Sequence, residues 1–211
     1  MRLTTRILLA GGLTLASWLS VRRPDAGPVG NDDVPEPTKP VDLTRYLGLW
    51  HEIARYENGF QRGMEAVTAH YSLKPSGKVK VVNSGRQGGL EGPLKSAIGR
   101  AYVVKEPSGL NAKLRVAFFG PFYGNYWVLD RAEDYSWSIV GEPSGRFLWL
   151  LCRQPRPDAA TRALLLERAQ ALGYDLSLLR FTKQPRSIAR EAAAPKTPPP
   201  EDPGIPSARP A

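Results

Sequence analysis

The chain has one cysteine, Cys152, and two histidines, His51 and His70, among its 211 residues. A single thiol cannot close an internal disulfide, and neither histidine has a ligand partner nearby in the sequence, so no metal-site spacing is present. Two histidines offer no credible Ser-His-Asp order, and Cys152 lacks a neighbouring base in the sequence. These absences argue against an enzyme and against a bound cofactor or metal.

Proline is scarce in the middle of the chain and dense towards its ends. Five of the 20 prolines lie in residues 24–40 and eight lie in residues 185–211. Segments rich in proline, alanine and charge cannot bury enough apolar surface to offset chain entropy. We therefore predict a Pro-rich linker at 24–40, one folded domain at 41–185 and a disordered Pro-rich tail at 186–211.

The apolar run near the start of the chain is short for a spanning helix, which needs roughly 17–25 residues. It covers 15 residues, Ile7–Val21, and follows a start that carries Arg2 and Arg6. Residues 1–23 are therefore predicted to be a signal peptide or an N-terminal membrane anchor, and the protein to be exported to the periplasm or the cell-envelope membrane. Because residues 1–39 contain no cysteine, we expect that the protein is not a lipoprotein.

Acidic residues are in the minority. The chain carries 29 basic and 20 acidic residues. Residues 1–39 and 186–211 together hold nine of the basic and seven of the acidic residues, so residues 40–185 contain 20 basic and 13 acidic residues. A surface of this sign attracts anions, including the headgroups of an anionic membrane. No cluster of Lys and Arg lies beside an aromatic stacking platform, so nucleic acid is not a predicted partner.

What fills the predicted domain is a series of short runs rich in β-branched and aromatic residues, separated by Gly, Pro, Asn and Asp. Eight strands are predicted, at Leu49–Tyr56, Val67–Leu73, Lys78–Ser84, Ser96–Val104, Lys113–Phe119, Tyr126–Asp130, Ser136–Val140 and Arg146–Arg153. Asp158 then caps a helix that ends at Gly173 and packs one apolar stripe on a neighbour. The predicted fold class is all-β: an eight-stranded antiparallel up-and-down β-barrel with one C-terminal α-helix packed outside.

Four segments in order resemble a known family. They are Gly48–Arg55, Val67–Ser72, Phe118–Asp130 followed by Asp134-Tyr135, and Phe147–Arg153. At this spacing, the stretch from Val41 to about Gln184 resembles the bacterial outer-membrane-type lipocalins, whose animal relatives include apolipoprotein D. His51 stands where that family usually has tyrosine. The resemblance implies that Trp50, after Gly48, plugs a closed barrel end and that Arg153 lies across its indole ring.

Alternation along the strands assigns side chains to the inside of the barrel. Because the charged side chains of Lys80, Arg100 and Arg115 are expected to point outward, their neighbours along each strand point inward. The resemblance to the family implies the inward positions of the other strands. The residues predicted to line a ligand are Ala69, Tyr71, Val81, Ala101, Val103, Leu114, Val116, Phe118, Tyr126, Val128 and Trp149. Small residues such as Gly99 are expected to leave room. The same parity places Glu52 inside, where a Lys or Arg near the closed end is expected to pair with it.

The predicted function is the binding, storage or transport of a lipid, either a fatty acid or a lysophospholipid, without chemical conversion. An anionic membrane surface is the second predicted partner. The alternative is a ligand-free structural or interaction module of the envelope, whose Pro198–Pro200 segment docks a partner as a polyproline helix.

Overall fold

The computed structural model describes residues 27–186 of the chain. This part contains, in order, α1 (Leu43–Tyr46), β1 (Gly48–Tyr56), β2 (Met64–Leu73), β3 (Val79–Gln87), β4 (Leu94–Val103), β5 (Lys113–Ala117), β6 (Gly124–Arg131), β7 (Trp137–Gly141), β8 (Leu148–Cys152), α2 (Ala159–Ala171), a 3-10 turn (Leu176–Leu178) and β9 (Leu179–Phe181). The predicted leader at 1–23 and the predicted tail beyond Arg186 lie outside the described residues.

The first eight strands form one closed antiparallel barrel. Each strand from β1 to β7 pairs with the next one along the chain, and β8 returns to pair with β1. Two of the connections are Pro-Ser-Gly turns, in which Gly77 and Gly109 take φ of +74° and +65°, a conformation that glycine adopts without steric cost. The predicted up-and-down barrel is confirmed.

The two ends of the barrel carry different connections. At one end, called the closed end here, α1 lies under the barrel, and the connections that follow β2, β4 and β6 are found there. At the other end, called the open end, lie the four connections that follow β1, β3, β5 and β7. These open-end loops are residues 57–63, 88–93, 118–123 and 142–147.

The C-terminal helix packs on the outer wall of the barrel, as predicted. The Asp158 carboxylate accepts a hydrogen bond from the Thr161 N–H at 2.7 Å and so caps the first turn. Gly173, with φ of +88°, follows the last turn. Leu165 and Ala169 are buried in a second apolar cluster with outward side chains of β1, β7 and β8.

Two segments outside the eight strands complete the wall. Residues 27–40, assigned above to a linker, run along the outside: Gly30 N–H donates to the Gly145 carbonyl at the open end, and Arg131 donates to the Pro40 carbonyl near the closed end. β9 pairs with the last part of β1, beyond the stretch where β1 pairs with β2. It therefore fills the gap between β1 and β2 on the side of the open end.

Candidate functional site: the barrel interior

All eleven residues predicted to line a ligand lie in one apolar cluster inside the barrel. Five of them are buried: Tyr71, Val81, Ala101, Leu114 and Val128. Six are partly buried: Ala69, Val103, Val116, Phe118, Tyr126 and Trp149. β5 ends at Ala117, so Phe118 packs inward from the start of the following loop. Their binding of a ligand stays a prediction.

The exposure of the interior side chains increases towards the open end. On β5, β6 and β8, one inward residue is buried, and the inward residue next to it on the side of the open end is partly exposed. These pairs are Leu114 and Val116, Val128 and Tyr126, and Leu151 and Trp149. The interior is therefore a cup that is filled at the closed end and accessible to solvent at the open end.

The floor of this cup is a chain of tyrosine hydroxyls. The Tyr71 hydroxyl donates a hydrogen bond to the Tyr126 hydroxyl at 3.0 Å. The Tyr46 hydroxyl lies 2.9 Å from the Tyr126 hydroxyl and 3.1 Å from Ser138 Oγ. Burial raises the pKa of all three phenols, although hydrogen bonds oppose this shift at Tyr46 and Tyr71. The hydroxyls therefore stay neutral and satisfy one another, as buried polar groups must.

Below the floor, an arginine lies across a tryptophan. The Arg153 guanidinium carbon is 3.7 Å from the centroid of the Trp50 ring, close enough for a cation–π contact. Its N–H groups donate to the carbonyls of Arg45, Leu47 and Leu49 at 2.8–2.9 Å. Gly48, at the start of β1 beside this contact, has a φ of +93°, a backbone conformation that glycine adopts without steric cost.

A buried ion pair lies on the wall of the cup towards the open end. Arg55 Nη1 is 2.6 Å from Glu52 Oε1, and neither side chain is more than 2% exposed. The same carboxylate accepts hydrogen bonds from the Thr182 hydroxyl and, at 2.7 Å, from Gln61 Nε2. Gln61 in turn accepts from the Trp149 indole N–H at 2.8 Å, so the polar cluster reaches a predicted lining residue.

The partner of Glu52 was expected near the closed end, and that expectation is wrong. The register of β1 against β8 shifts between Glu52 and Ala54, which leaves Ile53 as the extra residue of a β-bulge. Because a bulge reverses the alternation, Arg55 faces inward three residues after Glu52. The cation thus comes from the same strand, on the side of the open end.

The room expected at Gly99 is also occupied. A Cβ on Gly99 would lie 2.9 Å from the Phe118 ring and 2.8 Å from the Ala117 carbonyl oxygen. Glycine at this position therefore lets the Phe118 ring pack against the wall, and it does not enlarge the cup.

Two buried polar atoms of inward residues have no hydrogen-bond partner among the described residues. They are Asn83 Oδ1, an acceptor, and Arg55 Nε, a donor. Leaving such a group unsatisfied costs about 1–3 kcal/mol.

Cys152 has a histidine beside it that the sequence order did not reveal. His51 is its direct cross-strand partner on the outer side of the wall, and both residues are buried. Burial raises the pKa of the Cys152 thiol to about 12 and lowers the pKa of His51. Both groups are therefore held in their neutral forms, which is the opposite of an activated thiolate–imidazolium pair.

Between residues 27 and 186, no group of three or more His, Cys, Asp or Glu side chains is placed to hold a metal ion. In the same range, no helix is long and apolar enough to cross a membrane.

An eight-stranded antiparallel up-and-down barrel with a closed end and an accessible interior is the architecture of the calycin class of barrels, whose interior can hold one small ligand. The model of the lipocalin-like domain matches residues 41–184. The chain therefore belongs to the lipocalin family.

Within that family the chain is similar to bacterial outer-membrane members. It is 39% identical over 156 residues to the outer membrane lipoprotein Blc of Vibrio cholerae, covering 72% of this chain and 89% of the relative. It is 27% identical over 184 residues to mouse apolipoprotein D, covering 81% and 92%. Insecticyanin from the tobacco hornworm Manduca sexta has the same fold, with a TM-score of 0.58 at 20% identity, covering 72% of this chain and 85% of insecticyanin.

Proposed function

We propose that this protein binds and carries a lipid with one acyl chain, either a fatty acid or a lysophospholipid, inside the barrel and without converting it. The observation that supports this most directly is the gradient of exposure inside the cup. Val116, Tyr126 and Trp149 are apolar or aromatic, face inward and remain partly exposed near the open end. An acyl chain seated there would bury this surface and its own.

The energetics suit such a ligand. Burying a chain of about sixteen carbons contributes ~13 kcal/mol at about 0.8 kcal/mol per methylene. The loss of translational, rotational and chain freedom removes much of this. The remainder corresponds to an affinity in the micromolar to nanomolar range. The polar head would stay near the open end, where the interior side chains are partly exposed.

The relatives also support a place in the bacterial cell envelope, because several that match this domain are named outer membrane lipoproteins. Together with the basic, apolar start of the sequence, this supports export to the periplasm or the envelope membrane. These relatives lend no support to the expectation that the protein is not a lipoprotein, which stays a prediction from the lack of cysteine in residues 1–39.

The proposal is tested by placing a charge on each side of the β5 wall. Val116 faces the cup and Arg115 faces outward. Val116→Arg should abolish the binding of a fluorescent fatty acid because it puts an unpaired cation where the chain would lie. Arg115→Glu is the matched control and should leave that binding nearly intact. Fluorescence titration of both variants, after thermal unfolding has shown that each one is folded, measures the contrast.

Unchanged binding in a folded Val116→Arg variant would show that the ligand is not in the barrel. Native mass spectrometry of protein purified from its own envelope addresses the remaining alternative. A lipid that copurifies supports the carrier. The absence of a lipid, together with no uptake of the fluorescent fatty acid by the parent protein, supports the ligand-free module.

A further inference from the structure

The outer wall formed by β3, β4 and β5 differs from the other strands in its charges. These three strands contain six basic residues and no acidic residue. Five of them lie on the outer face, namely Lys80, Arg86, Arg100, Lys113 and Arg115, whereas Lys95 pairs with Gly85 at an inward position. Among them, Lys113 is paired with Glu36 and Glu106 near the closed end. The register of the strands places Lys80, Arg100 and Ala117 side by side on this wall.

Large apolar side chains are exposed on the same wall and in the loop above it. Phe119 and Phe122, in the open-end loop after β5, are 73% and 80% exposed, more than any other large hydrophobic side chain in the part of the chain that the structure describes. Leu94 and Ile98 on β4 are 61% and 65% exposed. Exposed apolar side chains grouped in this way mark an interaction surface.

The loop that carries the two phenylalanines is held in place. Arg100 Nη2 donates to the Gly120 carbonyl at 2.6 Å, and Arg100 Nε donates to the Tyr123 hydroxyl at 2.8 Å. Gly120, with φ of +54°, makes the turn between Phe119 and Phe122. Both rings are therefore presented to solvent by a fixed loop, so contact with a partner costs little further ordering.

We propose that this surface (the β3–β5 wall with the loop at 118–123) binds the surface of a phospholipid bilayer that contains anionic lipid. The phenylalanine rings would enter the boundary between headgroups and acyl chains, and the basic side chains would meet the anionic headgroups. Both properties of the surface match such a bilayer, since it presents negative charge over an apolar interior.

The path of the chain supports the same orientation. Gly27, the first described residue, accepts a hydrogen bond through its carbonyl from Arg146 at 2.8 Å and lies against the Glu57 carbonyl. Arg146 and Glu57 belong to two open-end loops. The chain thus joins the barrel at its open end, and in the sequence the apolar run Ile7–Val21 precedes this point by a few residues. The described part of the chain therefore begins at the end of the barrel that carries the two phenylalanines.

The test uses an environment-sensitive fluorophore on the full chain. Pro121→Cys places the label between the two phenylalanines, and Ser76→Cys places it on the turn after β2 at the closed end. Cys152 is buried and its pKa is raised to about 12, so the introduced thiol takes the label. The vesicles contain phosphatidylcholine and phosphatidylglycerol at a ratio of about seven to three, with pure phosphatidylcholine vesicles for comparison.

The label at position 121 should shift to the blue and be quenched by spin-labelled lipid, whereas the label at position 76 should do neither. Phe119→Ser with Phe122→Ser should remove the shift. Lys80→Gln and Arg115→Gln should each weaken binding to the anionic vesicles by about fivefold, with little effect on pure phosphatidylcholine. Leu73→Ser, an exposed apolar side chain at the closed end, is the matched control and should change nothing.

Equal responses at both positions, or no response at position 121, would overturn the proposal. So would a shift at position 121 that needs no vesicles and grows with protein concentration, because the surface would then meet a second copy of the chain. This proposal concerns the binding of the outer surface to a bilayer and does not depend on lipid binding inside the cup. The Phe119→Ser and Phe122→Ser variant should therefore still bind a fluorescent fatty acid from solution, and failure of the parent to bind that probe contradicts the lipid carrier alone.

Discussion

Two arginines at opposite ends of the barrel, Arg153 half-buried and Arg55 fully buried, are stabilised in different ways. At the closed end, Arg153 lies on the Trp50 ring and donates to neutral backbone carbonyls. On the side of the open end, Arg55 contacts two carboxylates, those of Glu52 and Glu57, at 2.6 and 3.0 Å. The charge of Arg153 is thus compensated by an aromatic ring and carbonyl dipoles, whereas the charge of Arg55 is compensated by two carboxylates.

The pKa values of the two guanidinium groups move in opposite directions for this reason. Burial lowers the pKa of Arg153, although nearby tyrosines oppose the shift. Burial acts to lower the pKa of Arg55 as well, but the Glu52 and Glu57 carboxylates together raise it more. The closed end is thus held by packing around one ring, whereas the wall near the open end depends on ion pairs whose members come from β1, the loop after it, β2 and β9.

The largest expected effect is at the closed end. Trp50→Ala should lower the free energy of unfolding by about 3–5 kcal/mol, because it removes a fully buried ring and leaves a cavity. Urea unfolding monitored by circular dichroism measures this loss. Leu49→Ala, at the adjacent and partly exposed position, is the control and should cost under about 1 kcal/mol.

The same measurement tests the contact between the ring and the guanidinium. Arg153→Ala should cost less than Trp50→Ala, and the double variant should be less destabilised than the sum of the two by at least about 0.5 kcal/mol. Additive losses would mean that the two side chains do not stabilise each other.

An effect of nearly the same size is expected at the ion pair. Arg55→Met should destabilise the protein by about 3–5 kcal/mol, because it leaves the Glu52 carboxylate buried without its cation. Glu57→Gln removes a more exposed partner of the same arginine and should cost no more than about 1 kcal/mol. Urea unfolding of both variants gives the comparison.

Glu52→Gln combined with Arg55→Met separates charge from packing. The double variant should recover part of the stability lost in Arg55→Met, because no unpaired buried charge remains. If Arg55→Met is as mild as Glu57→Gln, the ion pair contributes nothing to the wall, and the contrast between the two ends fails.

Where the strands are regular, the sequence alone predicted the interior well. Lys80, Arg100 and Arg115 are costly to bury, so each one fixes the inward positions of its strand, and Val81, Ala101 and Val116 all face the cup. The helix was equally predictable, since Asp158 and Gly173 are strong boundary signals. These predictions rest on local rules that regular geometry obeys.

The rest depended on features that have no local signal. The bulge at Ile53 reverses the parity of β1, and no glycine or proline marks it. The inward orientation of Arg55 therefore could not be derived from alternation. Likewise, the pairing of β9 with β1 and the contact of His51 with Cys152 are formed by residues far apart in the chain. Such contacts follow only once the barrel has closed.

The smallest expected effect on stability concerns His51, which lies on β1 between Trp50 of the closed end and Glu52 of the ion pair. Burial lowers the pKa of His51 below its ordinary 6.5, although a hydrogen bond with Gln184 acts in the opposite direction. At pH values between the pKa of His51 in the folded protein and 6.5, the His51 side chain binds a proton in the unfolded chain but not in the folded one. The stability that this group contributes is therefore fully present above pH 6.5 and is lost as the pH falls through the pKa of His51 in the folded protein.

The midpoint temperature of unfolding should fall between pH 7 and pH 5, and His51→Gln should flatten that dependence. His70→Gln, at an exposed position on β2, is the control and should keep the pH dependence of the parent. A parent protein equally stable at both pH values would show that His51 is not held neutral, and that the wall between the two ends tolerates a charge.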